Sequence, residues 1–253
     1  MNNIFKKIFV INLERNADRR EHVSKIMSEN NIDFEFFKAV DGKSIFPDNE
    51  SRLKFIEENF LDCNKWQPSV GQIGCWLSHV EIWKKIVSEN ISSCLILEDD
   101  ITFQIQNEDK SFQENFNDYC EQLPEDWNLF MLGYKDGYQP PDENQRISPK
   151  LNCPACTHAY ALKPESARIL LKNYWPMRGA LDSYTGQAFF ANASDANLKR
   201  FIDHWNVDRC NPTYDKPLYS KESDTSAILK LKSYAATPPL IAQGASFGYS
   251  DCW

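Results

Sequence analysis

The chain has 253 residues, of which 42% are hydrophobic and 25% charged, and its formal net charge at pH 7 is -8. This composition is typical of an ordered globular protein, and the length suits one large domain. The negative charge argues against a nucleic-acid partner, which normally requires a basic surface. The opening MNNIFKKIFVINLERN is too short and too interrupted for a signal peptide, and no segment approaches membrane length, so we expect a cytoplasmic protein.

The first part of the chain alternates strand and helix patterns. KIFVIN predicts a first strand, Val23, Ile26 and Met27 at helical spacing predict a helix after it, and FEFFKAV at 34–40 predicts a second strand. The order strand, helix, strand indicates a parallel βαβ unit. Residues 43–70 are less regular.

The clearest helical pattern begins at Gln72. Its apolar residues recur at steps of three and four: Ile73, Trp76, Leu77, Val80, Trp83 and Val87. CLIL, directly before Glu98, then predicts a third strand, and DWNLFMLGY at 126–134 predicts a fourth.

Later segments are predicted to complete the sheet and then lose regularity. GYKDGYQPPDENQRISPK has the composition of a mobile loop over a site. THAYALKP predicts another strand, Pro164 begins a helix, and 182–193 predicts a further helix. Beyond residue 200, four prolines and weak periodicity predict an irregular segment that wraps a single domain spanning 1–253.

The eight cysteines are scattered, as is typical of buried thiols. Cys153 and Cys156 form a close pair with His158 behind them, which raises the possibility of zinc. A structural zinc site usually needs a second pair at similar spacing, and only the isolated His204 and Cys210 remain. We therefore favour thiols over zinc here.

Three consecutive carboxylates, Glu98, Asp99 and Asp100, follow the third predicted strand. Neighbouring like charges repel and are costly to desolvate, so a positive group is expected beside them. Strand alternation would put Glu98 and Asp100 on one side and turn Asp99 elsewhere, so the first two could bind Mg²⁺ or Mn²⁺ at the carboxyl end of the sheet. The acids could equally end the strand in water, or serve a phosphoryl-transfer enzyme.

Three segments occur in the order VINLERNADRREHVSKIM, GQIGCWLSHVEIWKKIVSENISSCLILEDDITF and THAYALKPESARILL. Together, over about residues 7–193, they resemble glycosyltransferase family 25, which includes bacterial lipooligosaccharide galactosyltransferases and procollagen galactosyltransferases. A fainter similarity lies in KESDTSAI at 221–228. The specific feature is the succession of Asn-Leu-x-Arg, Cys-x-x-Ser-His-x-x-x-Trp and Leu-Glu-Asp-Asp.

The resemblance implies a GT-A α/β fold with a mostly parallel sheet, a UDP-sugar donor and inversion at the anomeric carbon. It implies that Glu98 and Asp100 hold Mn²⁺ or Mg²⁺ against the donor diphosphate, with Asp99 beside them. Such a cation would stabilise the charge that develops on the departing UDP.

The first motif also implies residues that bind the donor. Asn12, Arg15, Arg19 and Arg20 follow the first strand, and we expect Arg15 and one of the other two arginines near the nucleotide, because a guanidinium group binds phosphate in a fixed fork. Any one of these arginines could instead lie on a solvated helix face, paired with neighbouring acids.

The later motifs imply further site residues. Ser78 and His79 match the family motif and are expected to line the site, with His79 either orienting a carboxylate or serving as a hydrogen-bonded structural residue. Inversion needs a general base, and Asp182 in RGALDSYTGQAFF matches the later acidic position of the family. A carboxylate at the start of a helix is also a common N-cap.

The sequence therefore predicts a metal-dependent inverting transferase that moves galactose from UDP-galactose to a saccharide such as lipooligosaccharide. UDP-glucose is the alternative donor, and hydroxylysine of a collagen-like protein is the alternative acceptor. A lipid-linked acceptor would bring the protein to the inner face of the membrane. The rival classes are a non-catalytic sugar-nucleotide or glycan binding protein and a metal-dependent phosphotransferase.

Overall fold

The computed structural model describes residues 1, 3–60, 67–135, 145–149, 154–177, 179–186, 188–189, 228 and 230–244. The strands are β1 (Lys7–Asn12), β2 (Glu35–Lys38), β3 (Cys94–Glu98), β4 (Ile101–Phe103), β5 (Leu129–Lys135), β6 (Ile147–Ser148), β7 (Ala155–Leu162), β8 (Ser233–Ala236) and β9 (Ile241–Gln243). The helices are α1 (Ala17–Glu29), α2 (Gly42–Ile45), α3 (Asn49–Asn59), α4 (Val70–Ser88), α5 (Phe112–Cys120), α6 (Pro164–Asn173) and α7 (Leu181–Gly186).

Seven of these strands form one sheet in the order β2-β1-β3-β7-β5-β8-β6. The neighbours β2, β1 and β3 are parallel, β7 runs antiparallel between β3 and β5, and β8 is parallel to β5. In the described part of the chain, β7 and the edge strand β6 alone oppose the common direction of this sheet. The predicted α/β class with a mostly parallel sheet is confirmed. β4 and β9 form a separate two-stranded ribbon.

Helices cover both faces of the sheet. Phe9 of β1 belongs to the apolar cluster that contains Trp76 and Trp83 of α4, whereas Val10 belongs to the opposite cluster, with Val23 of α1. This division follows from strand geometry, since successive side chains point to opposite faces. The two layers hold the carboxyl ends of β1, β2 and β3 in fixed positions at one edge of the sheet.

Most predicted elements are present. The structure confirms the first βαβ unit, the long helix α4 and the third predicted strand, β3. It also confirms the fourth predicted strand, which is β5, the strand β7 before Pro164 and the helix α6 that Pro164 begins. The long helix starts at a capping box, in which Ser69 Oγ accepts a hydrogen bond from Gln72 N at 3.1 Å and Gln72 Oε1 accepts one from Ser69 N at 2.8 Å.

Three segments differ from the predictions. Residues 43–70 contain the helices α2 and α3, and the segment beyond residue 200, which was predicted to be irregular, contributes β8 to the main sheet and β9 to the ribbon. The helix predicted from residue 182 begins at Leu181 and is described as far as Gly186. Of the predicted loop at 133–150, the described ends include the last residues of β5 and the short strand β6, and residues 136–144 and 150 lie outside the described residues, as do residues 190–227.

Candidate active site

A cleft lies at the carboxyl ends of β1, β2 and β3, beside the first half of α4. Its free space, which opens to solvent, is about 570 Å³. Polar and charged side chains from four elements and their loops line it: Arg15, Asn16, Arg19, Asp41, Lys43, Ser78, His79, Glu98 and Asp99. This is the edge where parallel α/β sheets bind ligands.

The three consecutive acids lie at this edge, but the strand ends before the third of them. β3 ends at Glu98, and Asp99 and Asp100 form a turn that leads into β4. Chain direction changes there because β4 leaves the main sheet to pair with β9. The predicted alternation therefore does not extend to Asp100, and each carboxylate has its own surroundings.

Arg19 supplies a positive charge to two of the acids. Its Nη1 donates to Asp99 Oδ1 at 3.1 Å and lies 3.7 Å from Asp100 Oδ2, with the arginine only 8% exposed. Asn12 Nδ2, at the end of β1, donates to the other oxygen of Asp99 at 2.8 Å. Asn12 and Arg19 thus hold the carboxylate of Asp99 in place, whereas the negative charge of Asp100 is less well neutralised.

The electrostatic balance differs among the three acids. Burial raises the pKa of Asp100 to about 7, with the charge of Glu98 adding to the effect and that of Arg19 opposing it. Burial also raises the pKa of Asp99, although Asn12 and Arg19 counteract it. For Glu98, burial acts in the same direction, but the neighbouring His79, His158 and Thr157 together outweigh it and the pKa is lowered. Glu98 is therefore ionised at neutral pH, whereas Asp100 is divided between its two forms.

His79 faces Glu98 from α4. Its Nε2 lies 3.6 Å from Glu98 Oε1, and its Nδ1 lies 2.7 Å from the hydroxyl of Tyr160. That hydroxyl also accepts a hydrogen bond from Trp83 Nε1 at 2.9 Å, and Thr157 Oγ1 donates to Glu98 Oε1 at 3.3 Å. The structure thus places His79 beside a carboxylate of the acidic run.

The remaining residues of the first two motifs lie around the cleft. Arg15 forms an ion pair with Asp41 at its rim. Arg20 turns away, because its guanidinium lies 3.9 Å from the ring centroid of Phe36 and donates to Asn12 Oδ1 at 3.2 Å. Of the two arginines considered beside Arg15, Arg19 is the one that lines the cleft.

Ser78 lines the cleft and also holds its wall together. Its hydroxyl accepts a hydrogen bond from Val40 N at 2.8 Å and donates to Gly74 O at 2.7 Å, which joins α4 to the loop after β2. Gly74 permits this approach, since a Cβ there would lie 2.6 Å from Val40 O.

Asp182 is not among the residues that line this cleft, and it contacts the beginning of β7 instead. Its carboxylate accepts hydrogen bonds from Cys156 N at 3.0 Å and Ser183 N at 2.7 Å. It is the second residue of α7, so it is not the N-cap of that helix. Cys156 precedes Thr157, which contacts Glu98, so the two carboxylates contact neighbouring residues of β7.

Sequence reasoning did not identify Cys75 or Tyr160 as site residues. Cys75 lies four residues before His79 in one helix, a spacing that puts both on one face, so the signal was present. Tyr160 could not be found this way, because its role depends on packing between β7 and α4.

Cys153, His204 and Cys210 of the zinc hypothesis lie outside the described residues, whereas His158 Nε2 lies 3.1 Å from Ile241 O.

Comparison with protein families agrees with these motifs. A family model described as "Glycosyltransferase family 25 (LPS biosynthesis protein)" matches residues 5–185, more than half of the chain. The chain belongs to glycosyltransferase family 25. The predicted family, and with it the predicted enzyme class, is confirmed.

Curated members of family 25 are similar over part of the chain. Procollagen galactosyltransferase 2 of Homo sapiens is 35% identical over 136 residues, which are 52% of this chain and 21% of that protein. A glycosyltransferase 25 family member of Aedes aegypti is 40% identical over 99 residues, 38% of this chain and 16% of that protein. The chain therefore spans about a fifth of the length of these relatives or less.

Solved structures give a weaker similarity. A glycosyltransferase involved in the glycosylation of the major capsid of PBCV-1 aligns with a TM-score of 0.34 and 9% identity, over 97% of this chain and 94% of that one. Similarity at this level supports no conclusion about fold or function.

Among the described helices of this family 25 chain, none has the length and apolarity needed to cross a membrane.

Proposed function

We propose that this chain is a metal-dependent, inverting galactosyltransferase that transfers galactose from UDP-galactose to a saccharide acceptor such as lipooligosaccharide. The observation that carries the proposal is the cleft at the ends of β1 and β3, which is lined by Arg15, Arg19, Glu98 and Asp99. Membership of family 25 supports a sugar-nucleotide donor. The galactosyltransferase names of the relatives support galactose.

The cleft combines the two surfaces that a nucleoside diphosphate requires. Apolar side chains of Ile11, Leu13 and Val40 offer a wall for a flat base, and Arg15 and Lys43 bring positive charge to the rim. A bound diphosphate would compete with Asp41 for Arg15, since that ion pair is partly exposed and costs little to exchange.

A divalent cation fits the acidic run. Asp100 is 3% exposed, and its Oδ1 has no hydrogen-bond partner among the residues that the structure describes. One arginine faces Asp99 and Asp100, and Glu98 adds a further negative charge close by. Glu98 and Asp100 would hold the ion, because carboxylate oxygens are the ligands that Mn²⁺ and Mg²⁺ prefer. When bound, the ion would stabilise negative charge on the departing UDP.

The other residues would position the reactants. Arg19 and Asn12 fix Asp99, so the turn at the end of β3 keeps its shape when the diphosphate binds. Asp182 would accept the proton of the acceptor hydroxyl, because it is partly exposed and two backbone N–H groups fix its orientation. Each of its oxygens retains a lone pair for the hydroxyl.

The proposal is tested by a screen of UDP-sugars for hydrolysis in the presence of Mn²⁺. We expect UDP-galactose to be hydrolysed fastest and UDP-glucose to follow, with little turnover in chelator. Binding of UDP without turnover of any donor, on a broad panel of acceptors, would favour a non-catalytic binding protein. A product that carries phosphate, detected by mass spectrometry, would instead indicate a phosphotransferase.

A second acceptor class is supported by a specific observation. The relatives reported above include a procollagen galactosyltransferase, so hydroxylysine in a collagen-like peptide is the alternative acceptor. Parallel reactions with a collagen-like peptide and an oligosaccharide would decide between them, since the mass of each product shows which acceptor gained a hexose.

A further inference from the structure

A second group of potential metal ligands lines the same cleft. The ligand atoms of Cys75, His79 and Glu98 all lie within 4.8 Å of one another. Cys75 and His79 are four residues apart in α4 and share one face of that helix, and Glu98 ends β3 opposite them. All three side chains line the cleft, so a group bound between them would be accessible from it.

The buried imidazole of His79 has one ring nitrogen available to a metal ion. It is 0% exposed, and its Nε2 has no hydrogen-bond partner in the part of the chain that the structure describes. The 3.6 Å separation from Glu98 Oε1 is too long for a hydrogen bond. Tetrahedral zinc with ligands at 2.0–2.1 Å holds neighbouring nitrogen and oxygen ligands roughly 3.3 Å apart. The observed separation is close to that of two ligands of one ion.

The surroundings of His79 resemble those of a histidine that binds a metal. Ligating histidines are usually held through their second ring nitrogen. Here Nδ1 lies 2.7 Å from the Tyr160 hydroxyl, which Trp83 Nε1 fixes at 2.9 Å. The rings of His79 and Tyr160 also stack, with centroids 5.5 Å apart. These contacts fix the imidazole with Nε2 directed toward Glu98.

We propose that Cys75, His79 and Glu98 bind a zinc-class divalent cation and leave a fourth position open to the cleft. Sulfur and imidazole ligands select Zn²⁺ over Mn²⁺ and Mg²⁺, which favour oxygen ligands. This site is distinct from the pair Glu98 and Asp100 of the proposed function, although the two share one carboxylate. Zinc bound here would therefore compete with a catalytic Mn²⁺ for Glu98.

Cobalt(II) is the probe of choice, because thiolate ligation gives it a near-ultraviolet charge-transfer band and tetrahedral geometry gives it strong visible bands. The full chain, reduced and stripped of metal, is titrated with Co²⁺. We expect one equivalent to bind with both sets of bands, Zn²⁺ to displace it stoichiometrically, and an equal concentration of Mn²⁺ to displace little of it, because Mn²⁺ binds sulfur and nitrogen ligands more weakly than Co²⁺ does. No sugar donor is involved, so the result is independent of transferase activity.

Variants identify the ligands. Cys75→Ser is expected to lose the charge-transfer band, whereas Cys75→Asp should still bind one cobalt ion without that band. Cys156→Ser is the matched control, since its partly buried thiol also lies near Glu98, and it should retain both sets of bands. Tyr160→Phe should weaken cobalt binding about 10- to 100-fold.

Two results would overturn the proposal outright: no charge-transfer band in the wild-type protein, or a band that persists in Cys75→Ser. Circular dichroism of each variant separates loss of a ligand from loss of folding. If Cys75→Asp keeps the wild-type circular dichroism spectrum but binds no cobalt, the arrangement of the three ligands is also contradicted.

Discussion

Replacing Asp100 by Asn tests whether burial of the ionised Asp100 carboxylate lowers the free energy of unfolding. In the folded protein the pKa of Asp100 is raised from 3.8 to about 7, chiefly because the group is buried and secondarily because Glu98 is near. The folded state therefore binds more protons than the unfolded state between about pH 4 and pH 7. The contribution of Asp100 to stability is highest in acid and decreases as the pH rises through this window.

The size of the effect follows from the shift in pKa. Each pKa unit corresponds to 1.36 kcal/mol, so ionised Asp100 costs about 4 kcal/mol at pH 8. At pH 5 the folded carboxyl is protonated, and the cost falls to about 1 to 2 kcal/mol. Asn is neutral at every pH. The free energy of unfolding of the Asp100→Asn variant, relative to that of the wild type, should therefore rise by about 2 to 3 kcal/mol between pH 5 and pH 8.

Urea unfolding of both proteins at pH 5, 6, 7 and 8 measures this difference, provided that the dependence of the free energy of unfolding on urea is the same for both. Asp109→Asn is the matched control, because it makes the same change of side chain at an exposed position. A constant difference between wild type and Asp100→Asn across this range would refute the reasoning.

Three further substitutions test other parts of the site. Asp182→Asn should lower the transfer rate about 10²- to 10⁴-fold and leave the affinity for UDP unchanged by calorimetry, whereas an active variant would remove Asp182 from the mechanism. Arg19→Gln should lower the free energy of unfolding by about 3 to 5 kcal/mol at pH 8 and by less at pH 5, and an equal loss at both would contradict the ion pairs described above. Gly74→Ala should cost about 1 to 3 kcal/mol in thermal unfolding because its Cβ would meet Val40 O, and an unchanged melting temperature would show that the loop can move away.

The elements that sequence reasoning predicted are those with a dense apolar pattern. The long helix α4 buries Ile73, Trp76, Val80 and Trp83 at helical spacing, and this pattern is visible without a structure. In contrast, α3 buries a single apolar residue, Ile56, so it has no periodicity to detect.

Helix α5 had a detectable signal that the sequence analysis did not use. Phe112, Phe116 and Tyr119 recur at helical spacing and are buried, and Ser111 and Glu114 form a capping box at the start of the helix. The strands β8 and β9 could not be predicted in this way. They pair with β5 and β4, respectively, which lie more than a hundred residues earlier in the chain. The sequence of such a short strand does not indicate so distant a pairing partner.

The site was predictable in its location and less so in its contacts. An acidic run after a buried strand in an α/β sheet indicated the correct edge, and the arginines after β1 indicated the neighbouring loop. The prediction that Asp99 points away from a pair formed by Glu98 and Asp100 required the strand to continue. It ends at Glu98 because the following residues pair with β9. The contact between Arg19 and Asp99 joins residues 80 positions apart and depends on the packing of α1 against the sheet.

The central claim is that a divalent cation joins the diphosphate of the donor to Glu98 and Asp100. Calorimetric titration of UDP into the wild type and Asp100→Asn, each with Mn²⁺ and with chelator, tests it most directly, since Asp100 takes no part in the proposed zinc-class site. We predict that Mn²⁺ tightens UDP binding to the wild type and has little effect on the variant. Equal UDP affinity with Mn²⁺ and with chelator in the wild type would contradict the claim.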